Sequence, residues 1–260
     1  MPEDGVLKPV VWRLGQEDHL AEALAPCSVV TIGVFDGVHR GHQSLIRAAV
    51  SAGPTAVFTL HPPPLQVLHK RRPAYVQSIA QRVETILSLG AARCVVIDFS
   101  RDFATLTGTE FIDRIVQMVH PQLMWLGYDF KFGSGAEGSA QALKKRESRF
   151  TVRVSEPLQD ATGPVSSTRV RVAVQEGRLS DAAGMLGRDF ALDLRSGVQR
   201  SNGRYTIEQG EQVLPPPGIY DVTVMPQHQR AEARVSESHM ELAIKGFAEQ
   251  VLFHGRATES

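Results

Sequence analysis

Two histidines three residues apart, His39 and His42, close the run Gly33-Val-Phe-Asp-Gly-Val-His-Arg-Gly-His42. An apolar, β-branched stretch (Val29, Val30, Ile32, Val34) leads into it and a helical pattern follows. A strand, a glycine-rich turn and a helix N-terminus together make a place for phosphate. The first amides of a helix lack internal partners, and the helix dipole favours an anion there. Two imidazoles beside such a turn can donate to phosphoryl oxygens. Gly33, Phe35, Asp36 and Gly37 form the turn on this reading, and Gly41 lets backbone approach a phosphate that a side chain would block. Neither a cysteine nor a third histidine is suitably spaced for a metal site here.

A second run, Val165-Ser-Ser-Thr-Arg-Val-Arg171, has the hydroxyls of a helix cap. Arg169 and Arg171 then fall in the first turn, where acids are normal and cations oppose the dipole. A polyanion held by Ser166, Ser167, Thr168 and both arginines accounts for them; a plain N-cap at Ser166 or Ser167 is the simpler alternative. A third run, Gly127-Tyr-Asp-Phe-Lys-Phe-Gly133, follows a strand. Asp129 there can orient a substrate or merely face solvent, and Phe130 and Phe132 read equally as core or as stacking platforms. Phe58-Thr-Leu-His-Pro-Pro-Pro64 also ends a strand, and its prolines stiffen a loop that can wall a pocket. Gly133-Ser-Gly-Ala-Glu-Gly138 fits a dinucleotide fingerprint formally, but it lies mid-chain, outside the first strand–helix unit. Two phosphate-binding helix starts without a nucleophile elbow point to direct transfer between phosphates, by positioning and charge stabilisation.

The elements needed to carry these runs are legible as alternating strands and helices. Strands are expected at Val29–Val34, Thr55–Leu60, Cys94–Phe99, Leu123–Leu126 and Thr151–Val154. Helices are expected at Gln43–Val50, Ile79–Leu89 and Thr109–Val119. Continuous apolar strands between amphipathic helices imply an α/β fold whose parallel sheet is covered on both faces, with ligands beyond the strands' carboxyl ends. Helical periodicity stops near residue 187. Short strands at Ile219–Met225, Glu232–Val235 and Gln250–Phe253 suggest a small antiparallel barrel, complete or not.

The 260 residues are 42% hydrophobic and 22% charged, with Lys+Arg and Asp+Glu both 28. Without a basic excess, neither nucleic acid nor an acidic membrane is an expected partner. No apolar run approaches the roughly 20 residues that span a bilayer. The acidic opening segment, residues 1–8, does not read as a secretory signal. Cys27 and Cys94 form no CxxC pair. A reduced, cytoplasmic enzyme is expected, and its oligomeric state is left open.

In combination, Gly33–His42, the His61-Pro62 loop, Gly127–Gly133, Ser166–Arg171 and Leu186-Gly-Arg188 resemble the bacterial FAD synthetases. Those are usually bifunctional riboflavin kinase/FMN adenylyltransferases, and the likeness covers about residues 10 to 192. It implies a Rossmann-like HxGH nucleotidyltransferase domain over 1–187, which joins ATP and FMN into FAD with Mg²⁺ and releases pyrophosphate. On that resemblance His39, His42 and Arg169 are catalytic. Gly33, Phe35, Asp36, Gly37, Gly41, Ser166, Ser167, Thr168 and Arg171 bind ATP; Phe58, His61, Pro62, Asp129 and Phe130 bind FMN. No protein metal ligand is assigned.

There are two departures from the family pattern. The usual Phe-Asp-Pro-His-Pro reads Phe58-Thr-Leu-His-Pro62. The kinase half normally opens on Gly-Phe-Pro-Thr-Ala-Asn, whereas Gly197-Val-Gln-Arg-Ser-Asn-Gly-Arg-Tyr-Thr206 stands here, although Leu214–Val224 and Glu237-Ser-His239 still look kinase-like. A reduced kinase-like β domain without kinase activity is therefore expected over 188–260. Two rival readings keep part of the argument. One is an HxGH enzyme with another acceptor, such as pantetheine phosphate or nicotinate mononucleotide; the other is a flavin- or nucleotide-binding regulator without turnover.

Overall fold

A computed structural model describes residues 10–24, 27–69, 74–195, 198–201, 204–208, 212–237, 239–244 and 248–257. The whole of the acidic opening segment, together with Gly197, Asn202, Gly203 and Ser238 of the kinase-like segments, lies outside the described residues. The chain divides into two compact units. The first takes the described residues of 1–35, 41–71 and 83–158; the second takes those of 36–40, 72–82 and 159–260.

The first unit holds a six-stranded parallel sheet in the order β1-β4-β3-β2-β5-β8. Its strands are β1 (Val10–Trp12), β2 (Val29–Gly33), β3 (Thr55–His61), β4 (Arg93–Asp98), β5 (Leu123–Gly127) and β8 (Thr151–Ser155). All the neighbouring pairs run parallel. The helices are α1 (Asp18–Leu24), α2 (Arg40–Ala52), α3 (Pro64–His69), α4 (Ile79–Ser88), α5 (Gly108–Val119) and α6 (Ala140–Arg146), of which α4 begins in the second unit. β2 lies between β3 and β5, so its first four residues are buried whichever face they point to. That burial on both faces is why its sequence is apolar apart from Thr31. The edge strand β1 was not expected from the sequence. It docks Trp12 edge-on to Phe58 and Phe103 and stacked on Phe111, with ring centroids 5.1–6.0 Å apart. Thr107 and Glu110 close a capping box at the start of α5. Two short hairpin ladders follow, β6 (Lys131–Phe132) with β7 (Gly138–Ser139) in the first unit and β9 (Gln159–Asp160) with β10 (Gly163–Pro164) in the second.

The second unit carries α7 (Ser167–Gln175), α8 (Leu179–Leu186) and a seven-stranded antiparallel sheet in the order β11-β17-β14-β15-β16-β13-β12. Its strands are β11 (Phe190–Asp193), β12 (Val198–Ser201), β13 (Arg204–Glu208), β14 (Gly218–Met225), β15 (Gln229–Val235), β16 (His239–Ala243) and β17 (Gln250–Arg256). Its interior includes Phe190, Phe253 and Tyr220, whose rings lie 5.6–5.9 Å apart. The fold is thus α/β, a Rossmann-like parallel sheet followed by a barrel-like antiparallel one. The second unit takes in α7, α8 and two earlier segments, so the expected boundary at 187/188, between α8 and β11, lies inside it.

One of those earlier segments, residues 74–82, is laced to the antiparallel sheet. Val213 N–H donates to Tyr75 O at 2.8 Å, Ser78 Oγ to Asp193 Oδ2 at 2.5 Å and Gln212 Nε2 to Gln81 Oε1 at 3.0 Å. The other, Asp36–Arg40, begins with the turn after β2. Gly37 and Val38 have φ of 75° and 36°, a left-handed backbone that a β-branched residue adopts only under strain. A Cβ on Gly37 would also meet Val76 Cγ1 at 2.8 Å.

The buried Asp36 carboxylate holds this turn against the strain. It accepts Val76 N–H at 3.0 and 3.2 Å, Gln77 N–H at 3.2 Å and the Arg171 guanidinium at 3.0 Å, with buried Arg82 at 3.8 Å. Replacing Asp36 by Ala leaves both arginines without this carboxylate and orphans two amides. Unfolding in urea is expected to show a loss of about 3–5 kcal/mol. A loss under about 1 kcal/mol would mean that the carboxylate is not what holds the turn.

Candidate active site

β2 ends at Gly33, where a Cβ would press to 3.0 Å from the Phe35 ring, so glycine lets that ring fold back beside the strand. Phe35, itself at φ 53°, sets its ring edge against His42 with centroids 5.2 Å apart. Gly41 and His42 occupy the first turn of α2, which carries no acid. Four amides of that turn have no partner within the helix, and the 13 residues of α2 supply the dipole behind them. The HxGH motif is shared between the two units, His39 falling in the second and His42 in the first.

In the second unit His39 is buried, 6% exposed. Burial, and then the nearby positive charge of Arg188, depress its pKa to about 4. The imidazole is therefore uncharged at neutral pH and can offer one N–H rather than two. α7 begins at the expected place. Ser166 caps it by accepting Arg169 N–H at 3.3 Å, and Ser167 Oγ donates to the Asp36 carbonyl at 2.8 Å. Thr168 is exposed in the first turn.

The structure separates the two arginines. Arg171 is tied inward, Nη2 to Asp36 at 3.0 Å and Nε to the Ala74 carbonyl at 2.8 Å. Arg169 grips the β9–β10 hairpin. It donates to both oxygens of Asp160 at 2.9 and 2.8 Å, to the Gly163 and Pro164 carbonyls at 2.8 Å, and to the Thr162 hydroxyl. The same contacts hold the Asp160 carboxyl down at about 2. Asp36, expected at the nucleotide, has its carboxylate engaged in the hub described above.

Back in the first unit, an apolar cavity of about 410 Å³ opens beyond the carboxyl ends of β3 and β4. Leu60, Phe99, Phe103, Phe111, Phe130 and Phe132 line much of it. Phe130 and Phe132 stack at 5.5 Å and 21°, and glycine at position 138 makes room for the Phe132 ring, which a Cβ there would meet at 2.5 Å. Of the residues expected on the flavin side, Phe130 lines this cavity and Asp129 is exposed at the end of β5. His61 and Pro62 are half-buried at the end of β3. Phe58 is fully buried against Trp12 as a core residue.

Sequence reasoning assigned no role to Arg82 or Arg188. An arginine reads from sequence as a surface residue, and Arg188 was marked only as part of the Leu186-Gly-Arg188 motif, beside the helix-ending Gly187.

Among the described residues no three His, Cys, Asp or Glu side chains gather as metal ligands, and none of their helices is long and apolar enough to cross a membrane. A family model described as FAD synthetase matches residues 22–169. The chain is 29% identical over 251 residues to the bifunctional riboflavin kinase/FMN adenylyltransferase of Escherichia coli K12, an alignment covering 91% of this chain and 80% of that one. It is 33% identical over 167 residues to the protein of the same name from Listeria monocytogenes, covering 61% of this chain and 53% of the other. A crystal structure described as a macrolide-efflux protein from Streptococcus pneumoniae superposes with a TM-score of 0.81 at 27% identity, over 98% of this chain and 92% of that one. The strand–turn–helix with its paired histidines, the capped α7 and the family match over more than half of the sequence converge: the chain is a nucleotidyltransferase and belongs to the FAD synthetase family.

Proposed function

We propose that the protein transfers AMP from ATP to FMN, giving FAD and pyrophosphate. The observation that carries this reading is the left-handed turn after β2, which delivers a buried, uncharged His39 and an acid-free helix start bearing His42. A phosphate oxygen of FMN attacks the α-phosphorus of ATP. The bond from that phosphorus to the bridging oxygen breaks, and pyrophosphate leaves with the bond electrons. No covalent enzyme intermediate is needed. The chain's part is to orient the two phosphates and to donate hydrogen bonds as charge develops.

His39 and His42 are assigned to the α-phosphate and the breaking bond, with Gly33, Phe35, Gly37 and Gly41 shaping the backbone around the nucleotide. Ser166, Ser167, Thr168 and Arg169 are assigned to the pyrophosphate end, and Asp36 and Arg171 to holding the turn at which ATP binds. For the flavin, an apolar cavity floored by a stacked phenylalanine pair suits a planar aromatic ring system. Phe130 is assigned to stacking, Asp129, His61 and Pro62 to the rim, and Phe58 to the packing behind it. Among the described residues no three His, Cys, Asp or Glu side chains gather as metal ligands, so no residue is assigned to Mg²⁺; in this reading the ion arrives with ATP, and no step is assigned to it. We infer that the nucleotidyltransferase domain is 1–187 and that 188–260 is a kinase-like β domain without kinase activity, because the Gly-Phe-Pro-Thr-Ala-Asn segment is replaced. A cytoplasmic location suits these substrates.

Incubation with ATP and, separately, FMN, nicotinate mononucleotide and pantetheine phosphate is expected to release pyrophosphate with FMN alone and to yield FAD. Pyrophosphate with another acceptor and none with FMN would overturn the reading, and tight flavin binding without turnover would favour a regulator. His42→Ala is expected to lower kcat by about a hundredfold or more while leaving the melting temperature near that of the parent. Riboflavin with ATP is expected to give no FMN; chromatographic detection of FMN would restore the kinase.

A further inference from the structure

Arg188 stands immediately after the left-handed Gly187 that ends α8. Its guanidinium is half-buried and faces the turn after β2. Nη2 donates to the Gly37 carbonyl at 2.7 Å, and Nη1 to the Val38 carbonyl at 3.2 Å and the Leu186 carbonyl at 3.3 Å. Among the described residues no carboxylate pairs with it. Burial pulls its own pKa down to about 10. A desolvated cation held only by carbonyls is costly, and an apolar side chain could fill the same volume, so packing does not account for arginine here.

The carbonyls it holds suggest why it is there. Asp36 O is held by Ser167, and Gly37 O and Val38 O by Arg188, so three consecutive carbonyls of the turn are anchored from α7 and from the second residue after α8. In a trans peptide the next N–H points opposite to the carbonyl. Fixing these oxygens therefore fixes the direction of the amides of residues 37–39 and the point from which the His39 side chain departs. We propose that Arg188 is a positioning residue for the transfer reaction, whose fork locks the Gly37–Val38 carbonyls and thereby aims His39. The proposal rests on the reading that His39 works on the nucleotide's phosphates; the clamp on the turn does not.

The charge of Arg188 has a second effect. The charged groups around this turn are Asp36, Arg82 from α4, Arg171 from α7, exposed Arg40 and Arg188 itself. Asp36 is shared between Arg82 and Arg171. Arg188 is the charge that acts on His39, in the direction that disfavours imidazolium. Removing that charge must raise the His39 pKa, and keeping it on a lysine must leave the value low. Lysine, however, has no planar fork to hold two carbonyls at once.

The test compares Arg188→Lys and Arg188→Met in the full chain. Imidazole titrations are followed by NMR, with His39 assigned through His39→Gln, and FAD formation is measured against pH. In the parent and in Arg188→Lys, His39 is expected to titrate near pH 4. In Arg188→Met it is expected to move up by about one unit, carrying the acid limb of kcat with it. Both variants should lose at least about tenfold in kcat, with KM for FMN within about twofold. Parental kcat in Arg188→Lys would overturn the fork, and an unmoved His39 in Arg188→Met would overturn the electrostatic role. If Arg188→Met does not fold, Arg188→Lys alone decides the clamp, by its kcat. A parent that makes no FAD fails the proposed function, whereas the titrations still decide whether Arg188 acts on His39.

Discussion

A single carboxylate, Asp36, carries the strain of the turn that leads from β2 to His39. The chain leaves β2 through a left-handed turn that includes a valine, a conformation that costs on the order of 1–3 kcal/mol per strained residue. Such a turn persists when its surroundings over-determine it. Here two backbone amides, one close guanidinium and a second, fully buried one converge on one side chain. A buried ion pair is weak evidence for stability as such, since desolvation can cancel its Coulomb energy. Its use here is positional: it selects one backbone path where sterics would favour another.

The same logic explains why cations crowd a helix start. Arg169 and Arg171 in the first turn of α7 oppose its dipole, and the structure assigns them different partners. Arg171 answers a buried acid and serves the turn. Arg169 answers an exposed acid on a hairpin and remains near solvent, 30% exposed. Ser166 and Ser167 divide in a similar way, one capping its own helix and the other reaching the Asp36 carbonyl.

What could be read from the sequence follows from range. The strand at Val29, the turn glycines, the two histidines and the cap at Ser166 are local signals, and each appears within a residue or two of its expected place. The hub at Asp36 was not legible, because its partners lie 40, 41 and 135 residues away along the chain. Phe58 and Phe130 illustrate a second limit. Phe58 sits in a strand buried on both faces, which lacks the alternation that tells core from cavity, and Phe130 sits in the loop after β5, where no periodicity applies; one packs on Trp12 while the other lines the pocket. β1 is three residues long, too short for any periodicity to register. In the antiparallel sheet, β14 was legible because it alternates buried and exposed positions. The kinase-like assignments around Gly197 and Ser238 fall outside the described residues.

The hairpin that holds Arg169 sets a condition on any ligand for that arginine. Both of its Nη groups already donate to oxygens, so capture by them is an exchange of partners. Because the incumbent acid is exposed, solvent screens the bond to be broken and keeps it weak. Even so, water and weakly charged solutes do not compete as well for the guanidinium as a carboxylate held by both oxygens. A group with denser negative charge and more acceptor oxygens does, and in doing so it releases the loop around Asp160 to find other contacts. Selectivity for highly charged ligands can thus arise from what occupies the arginine beforehand.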